Sequence, residues 1–441
     1  MKRSAFALFI AIGLFLSVHL TLKAAYEDPA WSHGEAPRQL SANEGYNRYS
    51  SMALSDQGTI GVVWARLSPS DMSGTGTRWL TLTQRTADAW GPAITVRQAI
   101  TNIIAPALVY QGTDWHVAWI EGKPPGASRL LASSAGQTTP QVVHTNLYLY
   151  PAPMLAHAAN GVHMVYAASS SSSELDRGNI YYTFYPNGGN AWTTPTLLIT
   201  SSQVITPGVP GSIWRVRMAT NPTGTEIHLV WEQHIYAVKT AYEVWYVKGT
   251  CNNGNVVLGT PKRLSPSGQF ASYPDIALDR QGGVHVVWTE MLEPLTNPVG
   301  QYINYRKNLG TGWSIPTRID SQMAVASNLN PTYIQAALAA GSQRICVAWH
   351  GSRDKNNKEE LLLTCSPNRG ESWQTTVNVS NTPEQLSLFP SIIIDAQEIV
   401  TMNWLESRTT NWLYDYEVYV RHEKARLFKL YLPITLRNKS S

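Results

Sequence analysis

Charged residues and cysteines are both scarce in this 441-residue chain. Asp, Glu, Lys and Arg make up only 15% of the residues, against about 25% in an average globular protein. Because 43% of the residues are hydrophobic, the chain is not a mostly disordered protein. Three cysteines, Cys251, Cys346 and Cys365, exclude both a disulfide-rich scaffold and a zinc site built on closely paired cysteines.

Apolar runs of membrane-spanning length are absent after residue 25. Before it, the positively charged start Met1–Arg3 precedes the nearly uninterrupted apolar stretch Ser4–Leu22 and then Lys23–Ala25. This pattern predicts that residues 1–25 are a secretory signal peptide cleaved near Ala25, or an uncleaved signal anchor, since the run is close to spanning length. Both alternatives place the rest of the chain outside the cytoplasm, secreted or at the cell surface.

A strong excess of positive charge is also absent. The formal net charge is +4, and loss of Lys2, Arg3 and Lys23 with the leader, which holds no acidic residue, leaves +1. A nearly neutral chain lacks the electrostatic footprint of a nucleic-acid-binding protein. We therefore expect no nucleic-acid partner, and no membrane contact beyond an N-terminal anchor.

A β-hairpin pattern that ends near a large aromatic residue recurs along the chain. Its clearest copy consists of Tyr273–Asp279, a glycine-containing turn at Arg280–Gly283, and Val284–Glu290. A third strand and a fourth that opens with Trp and soon meets Pro, as in Trp313–Pro316, follow most copies. Four antiparallel strands per repeat, with polar turns and no helical stretch, predict the blades of a β-propeller. The aromatic anchors of the copies are Trp64, Trp119, Tyr166, Trp231, Trp288, Trp349 and Trp404.

The number of anchors and the chain ends predict how the propeller closes. Seven anchors indicate an all-β, seven-bladed propeller of four-stranded antiparallel blades over residues 26–425, and a six-bladed ring with one copy misread is the alternative. After the last anchor comes the strand Tyr416–Val420 but no Trp-Pro strand, whereas such a segment, Trp31–Leu40, stands near the N-terminus. We therefore predict that the N-terminal strand completes the last blade, which leaves no unpaired edge. Residues 426–441 fall outside the repeats and form a C-terminal tail.

The segment Ser366–Trp373 resembles the Asp-box of sialidases and other bacterial-neuraminidase-repeat (BNR) proteins. That motif reads Ser-x-Asp-x-Gly-x-x-Trp, and Ser366, Asn368, Gly370 and Trp373 match it with Asn in place of Asp. In that family the motif is a structural turn between the third and fourth strands of a blade, remote from the active site. The resemblance thus implies a sialidase-like propeller in which these four residues have a structural role.

The catalytic pattern of that family is nearly absent from the chain. Family sialidases use three arginines for the substrate carboxylate, a Tyr–Glu pair as nucleophile and an Asp as acid/base. The first arginine belongs to a Phe/Tyr-Arg-Ile-Pro motif, whose nearest counterpart is Asn47-Arg48-Tyr49-Ser50, without Ile or Pro. The resemblance therefore favours a non-catalytic glycan- or protein-binding module. A glycoside hydrolase of exo-sialidase type is the alternative, with a polysaccharide lyase more distant, so enzymatic activity stays open.

Arginines and carboxylates occur in the loops that would gather at one face of the propeller. There they could hold an acidic sugar, and two carboxylates could hydrolyse a glycosidic bond. Glutamate recurs shortly after the anchor, which favours a structural role in each repeat, whereas the arginines do not recur and are better functional candidates. The candidate ligand-binding residues are Arg48, Arg66, Arg215, Arg217, Glu121, Glu290 and Glu406, and Glu232, Arg353, Asp354 and Arg408 belong to the same loops.

No metal site or cofactor is predicted. No His-Glu-x-x-His spacing occurs, and four histidines in one column of the repeats would be too far apart for one ion, which favours hydrogen bonds between blades. Cys346 and Cys365 would lie opposite each other in one hairpin, so a disulfide and two reduced buried thiols are both open. We expect a monomer whose partner is a carbohydrate or a cell-surface protein. The histidine column is His116, His163, His228 and His285.

Overall fold

The computed structural model describes β-strands and one short 3-10 turn, Ser201–Gln203. It contains no α-helix within the described ranges, and hence no helix there that is long and apolar enough to cross a membrane. The predicted leader 1–25 and tail 426–441 lie outside those ranges. The described residues are 35–41, 46–68, 76–86, 89–122, 128–137, 139–149, 152–169, 178–203, 211–236, 241–266, 270–291, 300–320, 324–325, 334–352, 358–408 and 416–423.

The strands are short and follow one another closely along the chain. In chain order they are β1 Arg38–Gln39, β2 Tyr46–Leu54, β3 Ile60–Leu67, β4 Arg78–Thr86, β5 Ala89–Trp90, β6 Ile94–Ala99, β7 Ile103–Gln111, β8 Asp114–Glu121, β9 Ser128–Ser134, β10 Gln141–Leu149, β11 Met154–Ala158, β12 Gly161–Ser169, β13 Asn179–Pro186, β14 Thr196–Ile199, β15 Gly211–Thr220 and β16 Glu226–Ile235. The series continues with β17 Ala241–Asn252, β18 Asn255–Leu258, β19 Lys262–Arg263, β20 Phe270–Leu278, β21 Val284–Met291, β22 Gly300–Asn308, β23 Thr317–Arg318, β24 Ala324–Val325, β25 Ala336–Ala340, β26 Ile345–Gly351, β27 Glu360–Ser366, β28 Val377–Asn378, β29 Ser387–Ile394, β30 Val400–Ser407 and β31 Tyr416–His422.

These strands pair into consecutive antiparallel units, and each predicted anchor aromatic lies in the second strand of one unit. We name each unit for its anchor. The Trp231 unit is β15–β16–β17 with β18 and β19 on its outer edge, and the Trp288 unit is β20–β21–β22 with β23 and β24. The other units follow the same order: β2–β3–β4 with β5 and β6, β7 to β10, β11 to β14, β25 to β28, and β29–β30–β31–β1. The nearly all-β, four-stranded antiparallel architecture predicted from the repeats is therefore confirmed.

Hydrogen bonds also cross two boundaries between units, which the repeat pattern did not predict. Tyr148 on β10 pairs with Ser169 on β12, and Tyr242 on β17 makes a parallel pair with Phe270 on β20. The described strands consequently form five hydrogen-bonded sheets, two of which span two units each.

The N-terminal strand pairs with the last strand of the chain, as predicted. Arg38 and Gln39 on β1 lie opposite Val420 and Tyr419 on β31, and the Leu40 amide donates to the Val418 carbonyl at 2.7 Å. The first strand of each unit contacts the first strand of the next, and β29 of the last unit contacts β2. The two ends of the described chain are thereby tied into one sheet.

The anchor aromatics form the core between neighbouring units. All seven have a relative exposure of 2% or less. Trp288 packs against Val230 and Val244 of the preceding unit, and Trp64 packs against Leu388 of the unit at the other end of the chain. Since a four-stranded sheet cannot cover its own two faces, each unit depends on its neighbours for this burial.

The first strand of several units contains a β-bulge that the sequence analysis missed. In the Trp231 unit the register shifts between Trp214 and Arg217, and in the Trp288 unit between Ser272 and Asp275. Each bulge has a non-glycine residue in the left-handed region, where bulged backbone re-aims the side chain. These residues are Tyr49, Ala105, Arg215, Tyr273 and Phe389, with φ between 47° and 55°.

Three of the four histidines in the column, His163, His228 and His285, bond to tyrosines of their own unit, so our prediction of hydrogen bonds between blades is wrong for them. The Nδ1 atoms of His163, His228 and His285 lie 2.6–2.9 Å from tyrosine hydroxyls on the adjacent third strand. The register of the strands explains these contacts. His163 lies opposite Phe184, and Tyr182, two residues before Phe184 on the same strand, lies on the same face of the sheet as His163. Desolvation lowers the pKa of His163 and His228 to about 4, so these rings are neutral at pH 7. The tyrosines are Tyr182, Tyr246 and Tyr305.

The predicted structural turn Ser366–Trp373 joins the third and fourth strands of the Trp349 unit. Ser366 Oγ accepts from the Gly370 amide at 2.8 Å, and Asn368 Oδ1 accepts from the Ser372 amide at 2.9 Å. The Trp373 ring packs edge-on against Tyr305 of the preceding unit. These bonds close the turn, and the Trp373 contact joins it to the preceding unit, while the structural role of Ser366, Asn368, Gly370 and Trp373 stays a prediction.

The three cysteines occupy two different environments. Cys346 and Cys365 pair across β26 and β27 and are joined by a disulfide, whereas Cys251 is a buried free thiol. The disulfide therefore cross-links the second and third strands of the Trp349 unit, at the position that the hairpin pattern indicated.

Asp279 connects two neighbouring units through its carboxylate. Within the β20–β21 turn, Oδ1 accepts from the amides of Gln281 and Gly283, while Oδ2 accepts from His285 Nε2 at 2.9 Å. Arg369, from the turn after β27, donates its Nε to Oδ2 at 2.7 Å. Burial opposes ionisation, but these hydrogen bonds outweigh it and lower the pKa of Asp279 to about 2.

Replacement of Asp279 by Asn should destabilise the fold, because it removes the buried anion that pairs with Arg369 across the unit boundary. We expect Asp279→Asn to lower the free energy of unfolding by about 2–4 kcal/mol at pH 7. The matched control is Asp395→Asn, since Asp395 accepts the same two turn amides, from Gln397 and Ile399, without a described arginine or histidine partner for its carboxylate. Equal losses in urea denaturation of the two variants would contradict the linking role.

Candidate functional site

The predicted glutamates after the anchors are buried and engaged in structural contacts. Glu406 accepts from the Trp404 indole at 2.6 Å and from Ser387 Oγ at 2.8 Å, and Glu290 accepts from Asn304 at 3.2 Å. Burial raises the pKa of Glu290 and of Glu406. Glu121 forms ion pairs with two arginines. These residues contact their own or the adjacent unit, as expected of a position that recurs in each repeat.

The predicted arginines of the Trp64 unit lie on neighbouring strands. Arg48 on β2 pairs with Ala65 next to the bulge at Tyr49, and Arg66 on β3 places its guanidinium 4.5 Å from the centroid of the Trp79 ring. Of the wider set, Arg408 forms an ion pair with Glu417, while Arg353 and Asp354 lie outside the described residues.

A cluster on the first strands of the Trp231 and Trp288 units brings two predicted arginines together with residues that were not predicted. Arg215 Nη1 donates to Glu232 Oε1 at 2.8 Å, and Nη2 donates to the Tyr273 hydroxyl at 3.0 Å. Arg215 and Tyr273 are the bulged residues of adjacent first strands, so the two bulges place their side chains in contact. We call Arg215, Arg217, Glu232, Tyr273 and Asp275 the Arg215 cluster.

Glu232 is the buried anion of the Arg215 cluster. Besides Arg215, its carboxylate accepts from His234 Nε2, from Ser272 Oγ and from the Tyr273 amide. Burial opposes its ionisation, but Arg215 and the hydrogen bond from His234 outweigh burial and lower the pKa of Glu232 to about 2. A carboxyl group that stays ionised and fully hydrogen-bonded is unsuited to donate a proton as a general acid.

Aromatic rings hold His234 against Glu232 and add a partly exposed surface. The His234 ring stacks on Trp214, with centroids 4.9 Å apart, and on Tyr242, with centroids 4.1 Å apart. Trp214 and Tyr242 are each partly exposed, and Trp214 directly precedes Arg215 on β15. Aromatic faces beside a guanidinium are suited to contact with the apolar faces of a sugar ring.

Arg217 is the member of the cluster with unused hydrogen-bond donors. Its hydrogen bond in the described structure runs from Nη1 to the Val216 carbonyl at 3.2 Å, which leaves most of its five N–H groups for a ligand. Burial lowers the pKa of Arg217 and raises that of Asp275 nearby, whose Oδ2 accepts from the Leu338 amide at 2.8 Å. Arg217 remains a cation at neutral pH, since an arginine side chain does not deprotonate in proteins.

The arginines of this cluster were predicted from the sequence, whereas Tyr273 and Asp275 were not. The missed signal is an X-Pro pair in the first strand, because Ala105, Tyr273 and Phe389 each precede a proline and each occupies a bulge. Arg215 lies at the same structural position but is not followed by proline, so the X-Pro signal could not have predicted the bulge in the Trp231 unit.

Similarity to known proteins is limited to the fold and assigns no role to the residues of the Arg215 cluster. No family model and no curated protein matches the chain. A solved structure of a family PL25 polysaccharide lyase, an ulvan lyase, is similar with a TM-score of 0.59 and 11% identity over 89% of this chain and 96% of that chain. A second structure of a PL25 ulvan lyase, bound to -[GlcA(1-4)Rha3S]-, gives 0.56 and 12% over the same shares. The NanB sialidase of Streptococcus pneumoniae gives 0.45 and 10% over 89% of this chain and 70% of its own. The similarity to the two PL25 structures concerns the fold, which, with its four-stranded antiparallel units, is that of a β-propeller.

Glu232 should make a stability contribution that depends on pH. Because its pKa in the folded chain lies below the ordinary value of about 4.3, the carboxylate stabilises the fold above that pH, and this contribution disappears as the pH falls through about 2. We expect Glu232→Gln to cost about 3 kcal/mol at pH 7, and much less near pH 2.

Urea denaturation of the wild-type and Glu232→Gln chains at a series of pH values between 7 and 2 measures this difference. The control is Glu226→Gln, since Glu226 is an exposed partner of Lys248 and should change stability by no more than about 0.5 kcal/mol. A difference between wild type and Glu232→Gln that stays constant with pH would show that the charge of Glu232 is not what stabilises the cluster.

Proposed function

We propose that the chain is an extracellular, seven-bladed β-propeller that binds an acidic glycan through the Arg215 cluster. One observation carries this proposal: the guanidinium of Arg217 retains free N–H donors beside the fixed pair of Arg215 and Tyr273. Among the described residues this arrangement occurs in one pair of neighbouring units, as expected for a site that binds a single asymmetric ligand.

Closure into seven blades is supported by the order of contacts. Each of the seven anchors lies in a unit of its own, the first strands contact one another in sequence, and the last contacts the first. The β1–β31 pairing would then serve as the joint of the ring. Within this ring, Ser366–Trp373 would act as an Asp-box turn of the BNR type.

An acidic sugar is the ligand class that best fits the cluster. Guanidinium groups bind carboxylates through two parallel hydrogen bonds, and the Tyr273 hydroxyl and the ring of Trp214 offer polar and apolar contacts to a sugar. The fold similarity agrees with this class, since one of the similar structures was solved with a glucuronate-containing saccharide.

Binding without hydrolysis is favoured by the state of the carboxylates. Glycoside hydrolysis requires two available carboxyl groups about 5–10 Å apart. Glu232 is saturated by four donors, and Asp275 accepts two backbone amides. Glu232 also bonds to the Tyr273 amide instead of its hydroxyl, so it does not activate that phenol as a sialidase nucleophile. An exo-sialidase is therefore the weaker alternative.

A second candidate is a polysaccharide lyase acting on uronate residues. The observation that favours it is the Tyr273 hydroxyl 3.0 Å from Arg215. In β-elimination, an arginine would neutralise the uronate carboxylate while the tyrosine, as a phenolate, accepts the proton from the carbon next to that carboxylate. The C–O bond to the leaving sugar breaks as the C=C bond forms, and the tyrosine then donates the proton to the leaving oxygen. The fold similarity to an ulvan lyase is compatible with this chemistry.

Titration with oligogalacturonate, sialyllactose and a neutral cello-oligosaccharide tests the proposed function. We expect the wild-type chain to bind at least one acidic saccharide and not the neutral one, and Arg217→Gln to weaken that affinity about tenfold or more. Arg263→Gln is the control, because Arg263 belongs to the same unit but lies on the outer strand β19. It should leave the affinity unchanged.

Product analysis in the same mixtures separates binding from catalysis. Unsaturated uronate products or free sialic acid that disappear with Tyr273→Phe would replace the binding proposal by the lyase or the sialidase, respectively. Acidic saccharides that bind Arg217→Gln as tightly as wild type would exclude the Arg215 cluster as the binding site.

A further inference from the structure

A second basic pocket lies between the Trp64 and Trp119 units. It has a volume of about 440 Å³ and is lined by Arg97 on β6 and Arg129 on β9, with Glu121 at the end of β8 between them. None of these residues belongs to the Arg215 cluster. The lining also includes Thr77, Gln98, Ile100 and Thr101.

Glu121 fixes the two arginines at the pocket. Its side chain is only 2% exposed, and it accepts from Arg97 Nη2 at 3.3 Å through one oxygen and from Arg129 Nη2 at 3.0 Å through the other. The guanidinium groups therefore converge from two units onto one buried carboxylate, and their positions are set before any ligand arrives.

The pocket has more cationic donors than its own carboxylate can use. Two guanidiniums face one carboxylate, which leaves a net charge of +1 in this group. Arg97 Nε is buried without a hydrogen-bond partner, and Arg129, half exposed, uses Nη2 alone among its described contacts. A buried donor without a partner carries a desolvation cost that an arriving acceptor would remove.

We propose that this pocket is an oxyanion subsite that binds a sulfate or carboxylate group carried by a glycan. Paired guanidiniums match the oxygen geometry of such groups. Thr77, Thr101 and Gln98 add neutral hydrogen-bonding groups to the wall. Ile100, which is 78% exposed at the rim, provides an apolar contact for a ring attached to the anion, which favours a glycan-borne group over a free ion.

The Arg263–Glu243 pair is a second place where an arginine bonds a buried glutamate. Arg263 Nη1 donates to one oxygen of Glu243 at 3.3 Å, and the Trp245 indole donates to the other at 3.0 Å. The Glu121 site combines two arginines with an adjoining pocket. Arg263→Gln is therefore a matched control for the loss of an arginine from a buried glutamate.

Isothermal titration at low ionic strength tests the subsite with three probes: sodium sulfate, a heparin-derived hexasaccharide and an oligogalacturonate. We expect the wild type to bind one or both saccharides, and Arg97→Gln and Arg129→Gln each to weaken that binding about tenfold. Arg263→Gln should bind as wild type does. Thermal unfolding of each variant confirms that all compared chains are folded.

The Arg217→Gln variant separates this proposal from the proposed function. Two sites would appear as two binding events in the wild-type titration. An event that is lost in Arg217→Gln alone belongs to the Arg215 cluster, and an event that persists in Arg217→Gln and is lost in Arg129→Gln supports the second subsite. Three results would overturn it: no saccharide binding by wild type, binding of sulfate ion alone, or equal weakening by Arg263→Gln and Arg129→Gln.

Discussion

The burial of one large aromatic residue in the second strand of each four-stranded unit is the constraint on which the rest of this structure depends. Trp231, Trp288 and their equivalents are almost completely inaccessible, and Trp231 and Trp288 each pack against residues of the preceding unit. Each unit therefore needs neighbours on both sides, which requires the first and last units to meet. The pairing of β1 with β31 meets that requirement at the chain ends.

The anchors and the glutamates that follow them are buried in structural contacts. The residues that distinguish one unit from another as a candidate binding site therefore lie on the first strands. Bulges there turn single side chains out of the sheet register, and where two bulges are adjacent, Arg215 meets Tyr273. The buried carboxylate of Glu232 accepts a hydrogen bond from Arg215 and so fixes this pair. Arg217 keeps N–H groups that make no hydrogen bond in the described structure. The β-bulge thus recurs in several units, but only the side chains at the bulges of the Trp231 and Trp288 units form the Arg215 cluster.

The repeat architecture could be predicted from the sequence because the same pattern of apolar residues and turns recurs in each copy. The anchor column, the four-strand order and the N-terminal partner of the last strand all follow from hydrophobic alternation and turn residues. Contacts that depend on register were not predictable in the same way. The tyrosine partners of His163 and His285 lie on the adjacent strand, and Tyr273 reaches Arg215 only through two bulges. Neither relation has a fixed spacing along the chain.

A crystal structure of the protein with a bound uronate oligosaccharide tests the central claim most directly, since it locates the anion without reliance on mutants. The account predicts a sugar carboxylate within about 3.2 Å of the Arg217 guanidinium, with Tyr273 or Trp214 in contact with the same ring. A saccharide held only at sites away from Arg215 and Arg217 would contradict it.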